Sequence, residues 1–165
     1  MLPLSFEFYP PKTDDQRTQL DRTAKKLAVH APEYVSCTFG AGGSTLSHTP
    51  ETVRRLKQQH GLDAAPHLSC VGGSREEIRE LLKLYRAIGC NRIVALRGDL
   101  PSGMGQPGDL RYAADLVAFI RSEFGDHFRI EVGCYPEIHP QADDARADLR
   151  HFKAKVDAGA DAAIT

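Results

Sequence analysis

The sequence predicts an α/β fold, a (β/α)8 TIM barrel truncated after about five βα units and a sixth strand, with residues 1–165 forming one partial domain. Three observations carry this expectation. Short apolar runs alternate strictly with longer amphipathic ones, the pattern of a parallel sheet joined by right-handed crossovers. The strand starts fall at residues 4, 34, 65, 92, 129 and 161, a mean step of roughly 31 residues, and eight such units give the ~250 residues of a barrel. The chain ends at Ile164-Thr165, inside an apparent strand with no turn signal after it. A flavodoxin-like doubly wound sheet of five strands also fits 165 residues, so both architectures stand open at this point.

The first strand, residues 4–9, places Leu4, Phe6 and Phe8 on one side and Ser5, Glu7 and Tyr9 on the other. A helix follows from near Asp14, then a strand at 34–39 and a second helix from near Thr49 to Gly61. After the strand at 65–70, Ser74-Arg-Glu-Glu77 forms a capping box. It opens a helix whose Ile78, Leu81, Leu82, Tyr85 and Ile88 make one apolar stripe ending at Gly89. The strand at 92–96 leads to a fourth helix with Asp109 as N-cap and Gly125 as its stop. The strand at 129–135 leads to a fifth helix starting near Ala142, with Leu149, Phe152 and Val156 as a buried stripe and Gly159 as its stop. The strand at 161–165 closes the series. Gly40-Ala-Gly-Gly-Ser-Thr45 has Thr where a dinucleotide fingerprint carries its last Gly, and reads as a tight βα turn.

Lys and Arg number 21 against 22 Asp and Glu, a net charge of −1. Such a balance supplies no general field for nucleic acid or an anionic membrane. Neither a signal peptide nor a membrane-length apolar run is present, so the expected location is the cytoplasm. Cys37, Cys70, Cys90 and Cys134 show no zinc-ligand spacing, and three lie in apolar strand-like runs, which suits inert core thiols. No metal site is expected.

Polar residues gather at the carboxyl ends of the strands: Glu7, Thr38, His67, Arg97 with Asp99, and Tyr135, Glu137 and His139 after the fifth strand. In a barrel these ends form the rim where active sites sit. Glu7, flanked by aromatics, suits a structural ion pair or a desolvated general acid equally well. Arg97 and Asp99 suit a local salt bridge, His67 a satisfied core histidine, and His139 a turn.

Taken together, six segments resemble the methylenetetrahydrofolate reductase family. They are Ser5-Phe-Glu-Phe-Tyr-Pro-Pro-Lys12, Val35-Ser-Cys-Thr-Phe-Gly-Ala41, Ala65-Pro-His-Leu-Ser-Cys70, Ile93-Val-Ala-Leu-Arg-Gly-Asp-Leu-Pro101, Tyr135-Pro-Glu-Ile-His-Pro140 and Lys155-Val-Asp-Ala-Gly-Ala160. The resemblance implies a (β/α)8 barrel with FAD across the strand ends. NAD(P)H would reduce the flavin and leave, and 5,10-methylenetetrahydrofolate would then be reduced to 5-methyltetrahydrofolate, a step of one-carbon and methionine metabolism. Glu7 matches the family's general acid, and Asp99 an aspartate near flavin and pterin. Thr38, His67, Arg97, Gly98, Tyr112, Ala113, Tyr135 and His139 match flavin-lining positions, and Asp148, His151 and Lys155 the adenosine and phosphate end. Those last three share a helical face at i, i+3 and i+7. The chain departs from the family at His151 and Ala154, where Asn and Arg are usual, and at Tyr9, usually Phe. Expected partners are NAD(P)H, folate and further copies of the chain. The competing expectation is a non-catalytic barrel fragment with weak nucleotide binding whose open edges pair with another chain.

Overall fold

The computed structural model describes residues 3–39, 48–70, 73–98 and 108–165. The glycine loop at 40–45 and Asp99 lie outside them. Strands and helices alternate as β1 (Ser5–Phe8), α1 (Asp14–Ala28), β2 (Tyr34–Cys37), α2 (His48–His60), β3 (Ala64–Ser69), α3 (Arg75–Ile88), β4 (Arg92–Leu96), α4 (Ala113–Phe124), β5 (Arg129–Gly133), α5 (Ala145–Asp157) and β6 (Ala162–Ile164).

The six strands pair in the order β1-β2-β3-β4-β5-β6, all parallel. This order decides between the two architectures. A doubly wound sheet reverses its strand order so that helices cover both faces. Here every strand lies beside its neighbour in sequence, so crossovers of one hand stack the helices on a single face. The result is a TIM-barrel-like half barrel with β1 and β6 at its edges.

Registered residues of a parallel ladder point the same way, so the pairings define two faces. On one, Glu7 pairs with Ser36 and Ser36 with Ala65, while His67 pairs with Val94, Val94 with Glu131 and Glu131 with Ala162. On the other lie Phe8, Val35, Cys37, Leu68, Ile93, Ile130 and Val132. These join Leu20, Val53, Leu56, Leu82, Tyr85, Leu116 and Ile120 of the helices in one core. Each such side chain contributes about 1.5–3 kcal/mol by leaving water. Burial pushes the Cys37 thiol up to about 12, as suits an inert core cysteine. Cys134 differs from the expectation: it is only half-buried.

The capping box at Ser74 and Glu77 forms as the sequence predicts, the Glu77 N–H donating to Ser74 Oγ at 3.2 Å. Asp109, expected to cap the fourth helix, instead caps the third: its carboxylate accepts the Arg75 N–H at 2.8 Å. The fourth helix starts later, at Ala113, where Asp115 accepts the N–H groups of Arg111 and Tyr112 at 3.0 and 2.9 Å. The fifth also starts later than expected, on Asp144, which accepts the Ala147 N–H at 2.6 Å.

The expected buried stripe of α5 is not buried. Leu149 is 66% and Val156 48% exposed, and Phe152 is half-buried. Among the described elements α5 is the last helix of the layer, and the helix it packs against most extensively is α4. At its end Gly159 has φ +110°, and a Cβ there would meet Arg121 Cγ at 2.9 Å, so only glycine fits. Arg121 donates to the Gly159 carbonyl at 3.0 Å and to Asp161 Oδ2 at 2.5 Å, tying α4 to the start of β6.

Between α1 and α2, Asp21 accepts hydrogen bonds from Arg55 at 2.7 and 2.5 Å and lies 2.9 Å from His60 Nε2. The Arg55 hydrogen bond outweighs burial and lowers the carboxyl from 3.8 to about 2. A depressed carboxylate stabilises the fold fully above its unfolded value, and that contribution is lost as pH falls through its folded value. Solvent screening of this surface pair reduces the contribution to about 1 kcal/mol. Asp21→Asn should therefore cost about 1 kcal/mol near neutral pH and nothing below about pH 2 in urea denaturation. A cost that does not change with pH would contradict the clamp.

Candidate active site

The carboxyl ends of β1 to β3 carry one group of the predicted residues. Glu7 points to the inner face, as its alternation with Phe6 and Phe8 requires. It does not sit in the apolar surroundings its aromatic neighbours suggest: its side chain is 47% exposed. Its Oε2 lies 3.4 Å from Nε2 of His67, which is buried and has no hydrogen-bond partner at that nitrogen. Burial favours the neutral imidazole, while the charges of Glu7 and Glu131 oppose that shift. Thr38 follows β2: its N–H donates to the Phe8 carbonyl at 2.9 Å, and its own carbonyl accepts from the buried Thr49 hydroxyl at 3.0 Å.

The second group lies after β4 and β5 and encloses a cavity of about 800 Å3. Of the predicted residues, Arg97, Tyr112, Ala113, Tyr135, His139, Asp148, His151 and Lys155 line it. Glu7, Thr38, His67 and Gly98 are not in its lining; the first three belong to the β1–β3 side of the rim. Gly98 has φ +81° and turns the chain immediately after Arg97. The Arg97 carbonyl accepts Ser69 Oγ at 2.8 Å, and its guanidinium donates to Gln141, joining the chain after β3, β4 and β5.

The β5–α5 segment is held by its own polar groups. Asp148 Oδ2 accepts the His139 N–H at 3.1 Å, and His139 Nδ1 accepts the Gln141 N–H at 3.1 Å. The His139 ring stands edge-on to Tyr135, with centroids 4.5 Å apart. Across the cavity, the rings of Tyr112 and His151 are stacked with centroids 6.4 Å apart and planes 20° apart. Lys155 is half-buried with Nζ 2.5 Å from the Gly133 carbonyl and 5.6 Å from the Phe152 ring centre. Burial lowers its pKa, against the opposing charges of Cys134 and Asp148. An ammonium has three N–H groups, so Lys155 retains donors for a ligand oxygen.

The first turns of α4 and α5 also reach the cavity, through Ala113 to Asp115 and through Ala145. The positive ends of these helices favour an anion. Sequence reasoning missed Gln141, Asp115, Phe152 and Cys134, all in the cavity lining. Asp115 was legible as an acid three residues after Tyr112, the spacing of a cap, whereas nothing local marked Gln141.

These features define the class: a TIM-barrel-like α/β protein with its polar site at the carboxyl ends of the strands. The chain belongs to the methylenetetrahydrofolate reductase family, whose sequence model matches residues 2–165. It is 46% identical over 162 residues to the 5,10-methylenetetrahydrofolate reductase of Pectobacterium carotovorum, and 44% to that of Escherichia coli. Each comparison covers 98% of this chain and 53% of the relative, so the chain spans about half the length of these curated relatives. Methylenetetrahydrofolate reductase (NADH) 1 of Arabidopsis thaliana is 38% identical, with 98% of this chain and 29% of that protein covered. Among solved structures, a 2,3-dimethylmalate lyase superposes with TM-score 0.64 at 10% identity, covering 98% of this chain and 56% of its own. The aldolase QR15 superposes with TM-score 0.60 at 12% identity, covering 95% and 66%. At such identities the structures show the shared fold alone.

Asp148 fixes the loop that carries His139, so Asp148→Ala should release that backbone. Amide hydrogen exchange at His139 should accelerate at least about tenfold while the α3 core amides stay unchanged. Equal protection in the variant would show that the loop is held by other means.

Proposed function

We propose that residues 1–165 are the N-terminal portion of a catalytic (β/α)8 barrel that reduces 5,10-methylenetetrahydrofolate to 5-methyltetrahydrofolate with NAD(P)H and FAD. The reading is supported above all by one observation. Eight of the residues that match family flavin positions converge on a single cavity at the strand carboxyl ends. Family membership supports this activity, and the exposed apolar side of α5 and the edge strand β6 fit a barrel continued by further βα units.

The residues suit a flavin dinucleotide. The cavity volume lies in the usual range for small-molecule sites. Lys155 and the first turns of α4 and α5 would face the pyrophosphate, and Asp148 the ribose hydroxyls. On the neighbouring side of the rim His67 presents a buried Nε2 that faces Glu7 and makes no hydrogen bond. When bound, FAD would carry hydride equivalents from NAD(P)H to the folate in a ping-pong sequence. Glu7 is assigned as the general acid: it is solvent-accessible and would donate a proton to the methylene-bridge nitrogen, opening the bridge to a reducible iminium. Asp99 is assigned beside the flavin, where a negative charge opposes charge build-up on the reduced ring. The proposal extends to a cytoplasmic homo-oligomer serving methionine synthesis.

A second reading is favoured by the edges. With β1 and β6, among the described residues, each paired on one side, the 165 residues by themselves suit a fragment that binds nucleotide weakly and needs a complementary chain.

The test is FAD titration of the intact protein followed by turnover. Flavin absorbance should appear with FAD, and Lys155→Met should weaken binding about tenfold by removing one charge-assisted contact. Glu7→Gln should slow folate reduction at least about 100-fold and leave reduction of the flavin by NAD(P)H intact. A protein that stays colourless with excess FAD would overturn the reading, and a Glu7→Gln variant of normal turnover would overturn the role of Glu7.

A further inference from the structure

Below the His67–Glu7 pair, towards the amino-terminal end of the inner face, lies a charged cluster that the proposed reaction does not use. Its centre is Glu131 on β5, only 3% exposed. Tyr34 Oη on β2 donates to Glu131 Oε2 at 2.6 Å, and Arg92 on β4 donates to Oε1. Arg129 Nε lies 3.9 Å from the same oxygen. Arg92 also donates to Glu33 at 2.9 Å and sits 4.2 Å over the Tyr34 ring. Burial and the Glu131 hydrogen bond both raise the Tyr34 phenol. In Arg92, burial works against the charged form, but the hydrogen bonds and charges of Glu131 and Glu33 together overcome it and strengthen its hold on its proton. Glu131 is thus fixed from two strands by donors that do not give up their protons.

The register carries this carboxylate towards the rim. Glu131 pairs with Val94, and Val94 with His67, so the three form one row across β5, β4 and β3. Val94 is 2% exposed, which leaves little water to screen charge along the row. The charge of Glu131 acts on His67 in the same sense as that of Glu7, against burial. Among the described residues, the other charged or titratable groups that meet this face are Glu7 of β1, Tyr34 of β2, Arg92 of β4 and Arg129 of β5, with Glu33 bound to Arg92.

We propose that Glu131 is a positioning residue for the His67–Glu7 pair: clamped by Tyr34 and Arg92, it fixes a buried negative charge that governs whether the imidazole facing Glu7 is charged. The bearing on turnover rests on the acid role proposed for Glu7; the clamp itself does not.

The test is an NMR titration of His67 in the intact protein with its flavin, the resonance being assigned by its loss in His67→Gln. Glu131→Gln keeps the shape and removes the charge: its amide oxygen can accept from Arg92 while its NH2 donates to the Tyr34 hydroxyl oxygen, and the His67 midpoint should move to lower pH by about half a unit. Tyr34→Phe loosens the cluster but keeps the charge, and should leave the midpoint within about 0.2 unit. An unchanged midpoint in Glu131→Gln, or an equal shift in Tyr34→Phe, would overturn the proposal. The pH profile of kcat for folate reduction should shift with the midpoint while FAD affinity holds. A midpoint shift with an unmoved profile would support the clamp and count against the acid role of Glu7.

Discussion

His67 and Leu68 are neighbours in sequence and lie on opposite faces of β3, one against Glu7 and the other in the helix-covered core. The same split runs through the sheet: Glu7 and Phe8 on β1, Ser36 and Cys37 on β2, Glu131 and Val132 on β5. A slip of one residue on any of these strands would drive a polar group among the helices and expose its apolar neighbour. Burying an unpaired polar group costs about 1–3 kcal/mol and exposing a large apolar one a similar amount. Register is therefore strongly specified, and register aligns Glu7, His67 and Glu131 on the inner face.

One-sided winding then determines where a ligand can be held. Each crossover returns to start the next strand beside the last, so the helix amino termini lie at the carboxyl ends of the strands. Helices α4 and α5 bring their first turns to the cavity, and α5 adds Asp148, His151 and Lys155 along one side. The loops that complete the wall are held by side chains of the same elements, as with Asp148 on the His139 amide and Arg97 on Gln141. The loops of the wall are thus held by polar contacts both within and between βα units, above an apolar core that fixes the units themselves.

Much of this was legible in the sequence where the signal is local. Alternation in residues 4–9 placed Glu7 opposite Phe8, and the Ser74-Glu77 box marked the start of α3. The spacing of 148, 151 and 155 placed three residues on one cavity wall. The failures share a cause. Asp109 has cap chemistry, but the amide it accepts belongs to Arg75, 34 residues away. The α5 stripe has helical spacing, yet spacing shows only that a side is apolar and says nothing of what covers it. Aromatic neighbours left Glu7 open as an ion-paired or a desolvated carboxyl; alternation sends Phe6 and Phe8 to the other face, and Glu7 lies partly exposed beside His67. Periodicity along one chain cannot report partners that only tertiary packing supplies.

Barrel interiors are dominated by branched apolar side chains stacked in layers. The inner face of this half barrel instead holds Tyr34, Arg92 and Glu131 together with Glu7 and His67. Desolvating a guanidinium and a carboxylate costs several kcal/mol per ion, and apolar residues of the same volume commonly do as well or better for stability. The cluster is therefore poorly explained as a device for holding the sheet together, since Ile93, Ile130 and Leu68 already do that on the far face. Its distinctive product is electrostatic: a fixed, buried carboxylate in the same row of the sheet as a buried imidazole that burial would otherwise keep neutral. A charge in that position costs stability and confers control over protonation, and an acid–base pair at the rim can use that control.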